Sequence, residues 1–136
     1  FEIIDTMMKI HQYSILCAPT VAQEAALEAL KNGKKEMLKM KDEYKRRRDM
    51  IVKYLNEAGL DCFMPRGAFY VFPSIRKTGL SSSDFARKFL EKHRVAVVPG
   101  NAFGSSGEGH VRCAYAASFD DILEAMRRIK IFVDEI

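Results

Sequence analysis

Residues Val95–Ala116 read VAVVPGNAFGSSGEGHVRCAYA, and the fold is decided by how this stretch is built. VAVVP has the β-branched content of a buried strand, after which Gly100, Gly104, Gly107 and Gly109 relax the backbone. A second strand, His110–Ala116, is predicted to follow. Alternation sends His110, Arg112 and Ala114 to one face and Val111, Cys113 and Tyr115 to the other. Arg112 is the only permanent charge of that strand. A guanidinium is costly to desolvate unless its donor fork is filled, and a carboxylate fills it with two parallel hydrogen bonds. Two kinds of partner satisfy it: an anionic ligand, or an internal acid such as Glu108 or Asp84. The glycines do not make a nucleotide loop, because Walker A and dinucleotide fingerprints both lead from strand to helix, whereas this loop leads from strand to strand.

Working outward, helix starts are legible. Thr20-x-x-Gln23, Ser81-x-x-Asp84 and Ser118-x-x-Asp121 each set a hydroxyl at an N-cap position with an acceptor three residues on. They predict helices near 20–31, 82–93 and 119–135. Asn32-Gly33 closes the first, and Ala58-Gly59-Leu60 closes a long helix near 34–58 with a glycine at C′. FEIIDTMMKI, with Ile3, Ile4, Met7 and Met8 on one side, reads as a helix entered partway, whose tail passes into a loop across Lys9–Pro19. Strands are predicted near 60–64, 68–73, 94–98 and 110–115. In the last helix Ile122, Met126, Ile129 and Val133 make an apolar stripe that should cover one face of the sheet. The order of elements predicts a two-layer α+β domain with a mainly antiparallel or mixed sheet, rather than a doubly wound parallel sheet.

The chain has 136 residues, 48% hydrophobic, enough for one domain with a real core. Phe1 is no initiator, so the chain reads as a fragment or an excised domain. Cys17, Cys62 and Cys113 are odd in number, widely spaced and set among apolar residues, as reduced core thiols of an intracellular protein would be. No signal peptide pattern or membrane-length apolar run is present, so the cytoplasm is the expected compartment. His11, His93 and His110 have no metal-ligand spacing, and no metal site is predicted. The net charge of +4 is uneven: Lys31–Lys53 holds 10 Lys/Arg against 4 Asp/Glu, hence +6, leaving −2 elsewhere. Glu36, Asp42, Glu43 and Asp49 interleave with the positives, and Met37, Met40, Tyr44, Ile51 and Leu55 recur at helical spacing. That is the pattern of an amphipathic helix with a solvated face.

Three segments together resemble the class I/II (fold type I) aminotransferases of the aspartate and aromatic aminotransferase group. The first is the opening stretch, similar to the family's strand-PG-x-x-FG-x-x-G-x-G-x-x-R-x-x-YA signature. The second is Pro65–Pro73, PRGAFYVFP, similar to its P-x-GAFY strand. The third is Gln12–Leu30, QYSILCAPTVAQEAALEAL, similar to the loop and helix after the cofactor-lysine region. The resemblance implies that Arg112 binds the substrate α-carboxylate and that Phe69, with Gly67 letting its strand approach, lines the substrate pocket. It implies that Tyr13 and Ser14 reach the neighbouring subunit's active site in a homodimer. It also implies pyridoxal 5′-phosphate as cofactor, with its Schiff-base lysine upstream of Phe1. No catalytic residue is then expected in this chain, which alone should be inactive. Residues 1–33 would trail from the large cofactor-binding domain, and 34–136 would be the C-terminal small domain.

The implied reaction moves an amino group between an L-amino acid and a 2-oxo acid. The aspartate-specific arginine is missing, since no Arg occurs between Phe1 and Lys45, so aspartate, aromatic and broad specificity all stay open. Two other functions compete. One is a C–S lyase or synthase of the same fold. The other is a basic module that binds anions or nucleic acid through the Lys31–Lys53 helix, a binding that neutralising Arg46, Arg47 and Arg48 would abolish, although nucleic-acid recognition motifs are lacking and neither a nucleic-acid nor a membrane partner is expected.

Overall fold

A computed structural model of the chain describes residues 1–14 and 17–136. These divide into two compact units, Phe1–Met40 and Lys41–Ile136. The first contains α1 (Glu2–Ser14), α2 (Thr20–Asn32) and the start of α3 (Lys34–Glu57), which continues into the second. Neither α1 nor α2 buries a side chain, and Ile3, Ile4, Met7, Met8 and Ile10 are all exposed. Cys17 is exposed as well, contrary to its expected place in a core. Thr20 does not cap α2: Pro19 occupies the cap position and Thr20 is already helical, while Gln23 Nε2 reaches back to the Ala18 carbonyl at 2.7 Å. A proline lacks an N–H and has a preset φ, so a helix can begin directly after it. Across Lys9–Pro19, where the helix tail is expected to pass into a loop, α1 continues to Ser14, and Ile15 and Leu16 lie outside the described residues.

The second unit holds the core. Helix α3 stops where Ala58-Gly59-Leu60 predicts. Gly59 takes φ 82°, its N–H bonds the Asn56 carbonyl, and the Leu60 N–H bonds the Leu55 carbonyl at 3.0 Å. This pair of bonds is the Schellman arrangement, and Leu55 and Leu60 are both fully buried beneath it. Helices α4 (Ser82–His93) and α5 (Phe119–Asp134) start at the predicted caps. Ser81 Oγ accepts from the Asp84 N–H at 3.1 Å, and Ser118 Oγ accepts from the Asp121 N–H at 3.2 Å.

Three short strands form one antiparallel sheet in the order β1 (Tyr70–Val71), β3 (Val111–Ala114), β2 (Val98–Pro99). The strand expected at 60–64 is absent. The Asn56 side chain takes a ladder partner's place there, its amide donating to the Cys62 carbonyl at 3.1 Å while its Oδ1 accepts from the Cys62 N–H at 3.0 Å. Likewise only Val98–Pro99 of VAVVP is paired, and Val95 and Val97 lie partly buried against the core without a ladder.

Val111, Cys113 and Tyr115 face inward, as alternation predicts, and pack with Ile51, Leu55, Val71 and Ile75. From α5, Ile122, Met126 and Ile129 are buried. Phe132 rather than Val133 completes the stripe, closing an aromatic cluster with Phe85 at 5.1 Å and Phe89 at 5.2 Å. Side chains of this size each contribute about 1.5–3 kcal/mol on leaving water, so the cluster is a main support of the unit. Burial also pushes the Cys62 thiol up to about 11 and the Cys113 thiol up to about 12, which keeps both protonated and unreactive. Five helices and three antiparallel strands among the described residues make this an α+β fold.

Candidate functional site

The glycine-rich loop is built by a crossing of its own backbone. A Cβ on Gly100 would fall on the carbonyl oxygen of Gly107, and one on Gly107 on the carbonyl oxygen of Gly100. The loop is then fastened to the start of α4. Glu108 Oε1 accepts the Ser82 N–H at 2.7 Å, and the buried Ser82 Oγ accepts the Gly109 N–H at 2.9 Å. The Ser82 amide, an orphan donor of the first helical turn, thus gains an acceptor from 26 residues away. That bond holds the Glu108 carboxyl below its usual range. The result fixes where β3 begins, and so where Arg112 points.

Arg112 lies half-buried on the outer face of the sheet. Two rings stand against its guanidinium, Tyr70 at 4.3 Å and Phe103 at 4.7 Å from the ring centroids. Phe72 extends the aromatic surface, 6.1 Å from Phe103 and stacked on His110 at 5.3 Å. Among the described residues no acid reaches Arg112. Glu108 is committed to Ser82, while Asp84 pairs with Ser81 and Arg87, and Ser81 is the main cause holding its carboxyl low. The internal bridges open to Arg112 on sequence grounds are therefore not made. Its guanidinium rests in a cation–π cradle with its fork unpaired among the described residues, and such a fork can take a planar anion by two N–H donors at once.

The other candidates sit as follows. The Phe69 ring is 4.6 Å from Tyr70 and 6.2 Å from Tyr44, one residue removed from the guanidinium contact, which Tyr70 makes. Gly67 is exposed, and a Cβ there would meet open space, so no neighbour in this structure requires a glycine. In the first unit, Tyr13 and Ser14 end α1. Tyr13 is fully exposed, and the Ser14 hydroxyl donates to the Ile10 carbonyl at 2.9 Å. Tyr70 and Phe103 were not singled out by sequence. Period-two alternation identifies which residues share a face only once the register, here Tyr70 opposite Ala114, is known.

Arg46, Arg47 and Arg48 are engaged inside the fold. Arg46 lies 3.9 Å over the Phe119 ring and bonds Glu43, Arg47 bonds Glu43 and the Ala117 carbonyl, and Arg48 bonds Asp49 and the Pro65 carbonyl. These arginines fasten α3 to two loops, a structural duty that the basic-module hypothesis does not need. No described helix is long and apolar enough to cross a membrane.

Residues 2–129 match the family model described as aminotransferase class I and II. The aspartate aminotransferase of Pyrococcus abyssi is 45% identical over 130 residues, which is 94% of this chain and 33% of that protein. The crystal structure of an aromatic aminotransferase from Pyrococcus horikoshii superposes with a TM-score of 0.88 at 47% identity, covering 98% of this chain and 36% of the other. Aspartate aminotransferase from Thermus thermophilus with maleate gives 0.81 at 35% identity, covering 96% and 34%. The chain therefore belongs to the class I and II aminotransferase family, and its second unit has the α+β fold of a fold type I small domain. It spans about a third of the length of these relatives.

Enzymes of this family work with pyridoxal phosphate. The residues described here do not fit a covalent site for it. Every lysine of the chain is exposed, whereas a Schiff-base lysine needs a desolvated pocket that lowers its basicity.

Proposed function

We propose that this chain is the substrate-carboxylate-binding portion of a pyridoxal phosphate-dependent aminotransferase that moves an amino group between an L-amino acid and a 2-oxo acid. The observation that carries this is the fork of Arg112, without an acid among the described residues, set against Tyr70 and Phe103 while Glu108 and Asp84 are committed elsewhere. A carboxylate held there is fixed in position and plane, and the amino acid's Cα with it, while Phe69 contributes to the side-chain wall next to Tyr70. The neighbour crystallised with maleate, a dicarboxylate, supports an anion of this chemistry.

On this proposal residues 1–33 belong with the large cofactor-binding domain, residues 34–136 form the small domain, and the Schiff-base lysine comes from outside this chain. Tyr13 and Ser14 then serve the partner's site in a homodimer, and the free thiols of Cys62 and Cys113 suit a reducing cytoplasm.

In the whole protein, Arg112→Ala should lower kcat/KM for the amino-acid substrate by about two orders of magnitude, the consequence of losing roughly 3 kcal/mol of charge-assisted bidentate binding. Arg112→Lys should fall in between, because an ammonium offers a point charge without the fork. An unchanged kcat/KM in Arg112→Ala would refute the assignment. The chain alone should form no keto acid, and a reducible cofactor adduct at one of its lysines together with turnover would overturn that expectation.

A further inference from the structure

A second concave site lies within the Lys41–Ile136 unit, away from Arg112. It is a cavity of about 300 Å³ between the start of that unit's helix and the turn before β1. Four of its lining side chains are cations, Lys41, Lys45 and Arg48 from α3 and Arg66 from the turn, and no carboxylate lines it. Lys41, Lys45 and Arg48 follow i, i+4, i+7 spacing, so they stand on one helix face, where like charges repel. Elsewhere on this helix most cations have acids: Lys39 takes Glu36, Arg46 and Arg47 share Glu43, and Lys53 takes Glu57, while Lys34 and Lys35 in the first turn have none among the described residues. Here Arg48 has Asp49, but Lys41, Lys45 and Arg66 pair with no acid among the described residues.

The backbone repeats the pattern. Gly67 and Ala68 also line the cavity, and neither donates its N–H to any acceptor among the described residues. Ala68 is held at φ 60°, a left-handed conformation uncommon for alanine, and its carbonyl is tied down by the Tyr115 hydroxyl at 2.7 Å. Successive free amides in such a turn are a recurring way of receiving oxyanions. The Tyr44 hydroxyl, likewise without a partner among the described residues, adds a neutral donor at the rim.

We propose that this cavity is a binding site for a small phosphate dianion. A doubly charged tetrahedral anion offers oxygens to donors supplied by a helix face and by a turn, and the cavity has room for one. The site is separate from the carboxylate seat at Arg112 and does not rest on the proposed function.

Lysine acylation read by mass spectrometry tests it on the protein as it occurs. With inorganic phosphate titrated against chloride at constant ionic strength, labelling of Lys41 and Lys45 should fall at least threefold along a saturable curve, while that of Lys88 and Lys130 stays constant. Arg66→Ala, an exposed position, should abolish the protection, and Arg112→Ala should leave it intact. Equal protection by chloride, uniform protection of all lysines, or protection that survives Arg66→Ala would overturn the proposal. So would protection by duplex DNA at phosphate-equivalent concentrations where inorganic phosphate gives none, since the surface would then belong to nucleic acid.

Discussion

Arg112 shows how one side chain acquires a role from what its neighbours do. Glu108 and Asp84 are the acids that the sequence offers it, yet each is drawn to a helix-start amide or hydroxyl, and the guanidinium is left with two rings instead of an acid. Two single-residue predictions follow from backbone geometry. Arg94 ends α4 at φ 57°, a left-handed conformation that costs a non-glycine residue about 1 kcal/mol. Arg94→Gly should therefore raise stability by about 0.5 kcal/mol after the extra freedom of glycine in the unfolded chain is counted, a change visible in chemical denaturation. Gly100→Ala should do the opposite. Its methyl has nowhere to go except into the Gly107 and His110 carbonyls, so the crossing must open at a cost of about 3 kcal/mol. If Gly100→Ala melts like the native chain, the crossing is not as tight as described.

At the scale of elements, α4 and α5 are specified locally and then locked together. Their caps read directly from Ser81 and Ser118, because a hydroxyl and the amide three residues on are neighbours in any helix start. Ser118→Ala should cost about 1 kcal/mol, measured by urea unfolding. The locking is tertiary: Arg128 reaches the His93 carbonyl at 3.0 Å, and Phe132 stacks on Phe89. Phe132→Ala should cost about 3–5 kcal/mol, well beyond the cap. Strands were harder to foresee than helices for a physical reason. A helix satisfies its own backbone, whereas residues 60–64 and 94–97 have strand-like composition but find, respectively, the Asn56 side chain and no ladder partner.

For the whole molecule, burial is confined to one unit. Side chains of Lys41–Ile136 form the core, whereas those of α1 and α2 stay exposed. Hydrogen exchange on the chain alone should accordingly show slow amides in α5 and β3 and fast ones in α1 and α2. Equal protection of both units would contradict this. Acid should unfold the second unit in a defined direction. Glu43, bonded by Arg46 and Arg47, and Glu124, bonded by Arg127 and Arg128, are both held down at about 2 rather than the usual 4.5. Carboxyls depressed on folding add stability that is complete above the unfolded value and is lost as pH falls through the folded one. Melting temperature should thus be level from pH 7 to about 5 and decline between about 4.5 and 2, with a shallower decline in the Glu43→Gln, Glu124→Gln double variant.

The sequence by itself determined the starts of α4 and α5, the glycine end of α3, the inward set Val111, Cys113 and Tyr115, the lone arginine of β3, and the family, because caps, periodicity and signature spacing are local properties of the chain. Only the tertiary structure decided what Arg112 touches, that Tyr70 rather than Phe69 stands against it, and that the three consecutive arginines brace α3. Those outcomes depend on strand register and on which of several rival partners captures each charge. Such competition is settled between residues far apart in sequence, so no local pattern records its result.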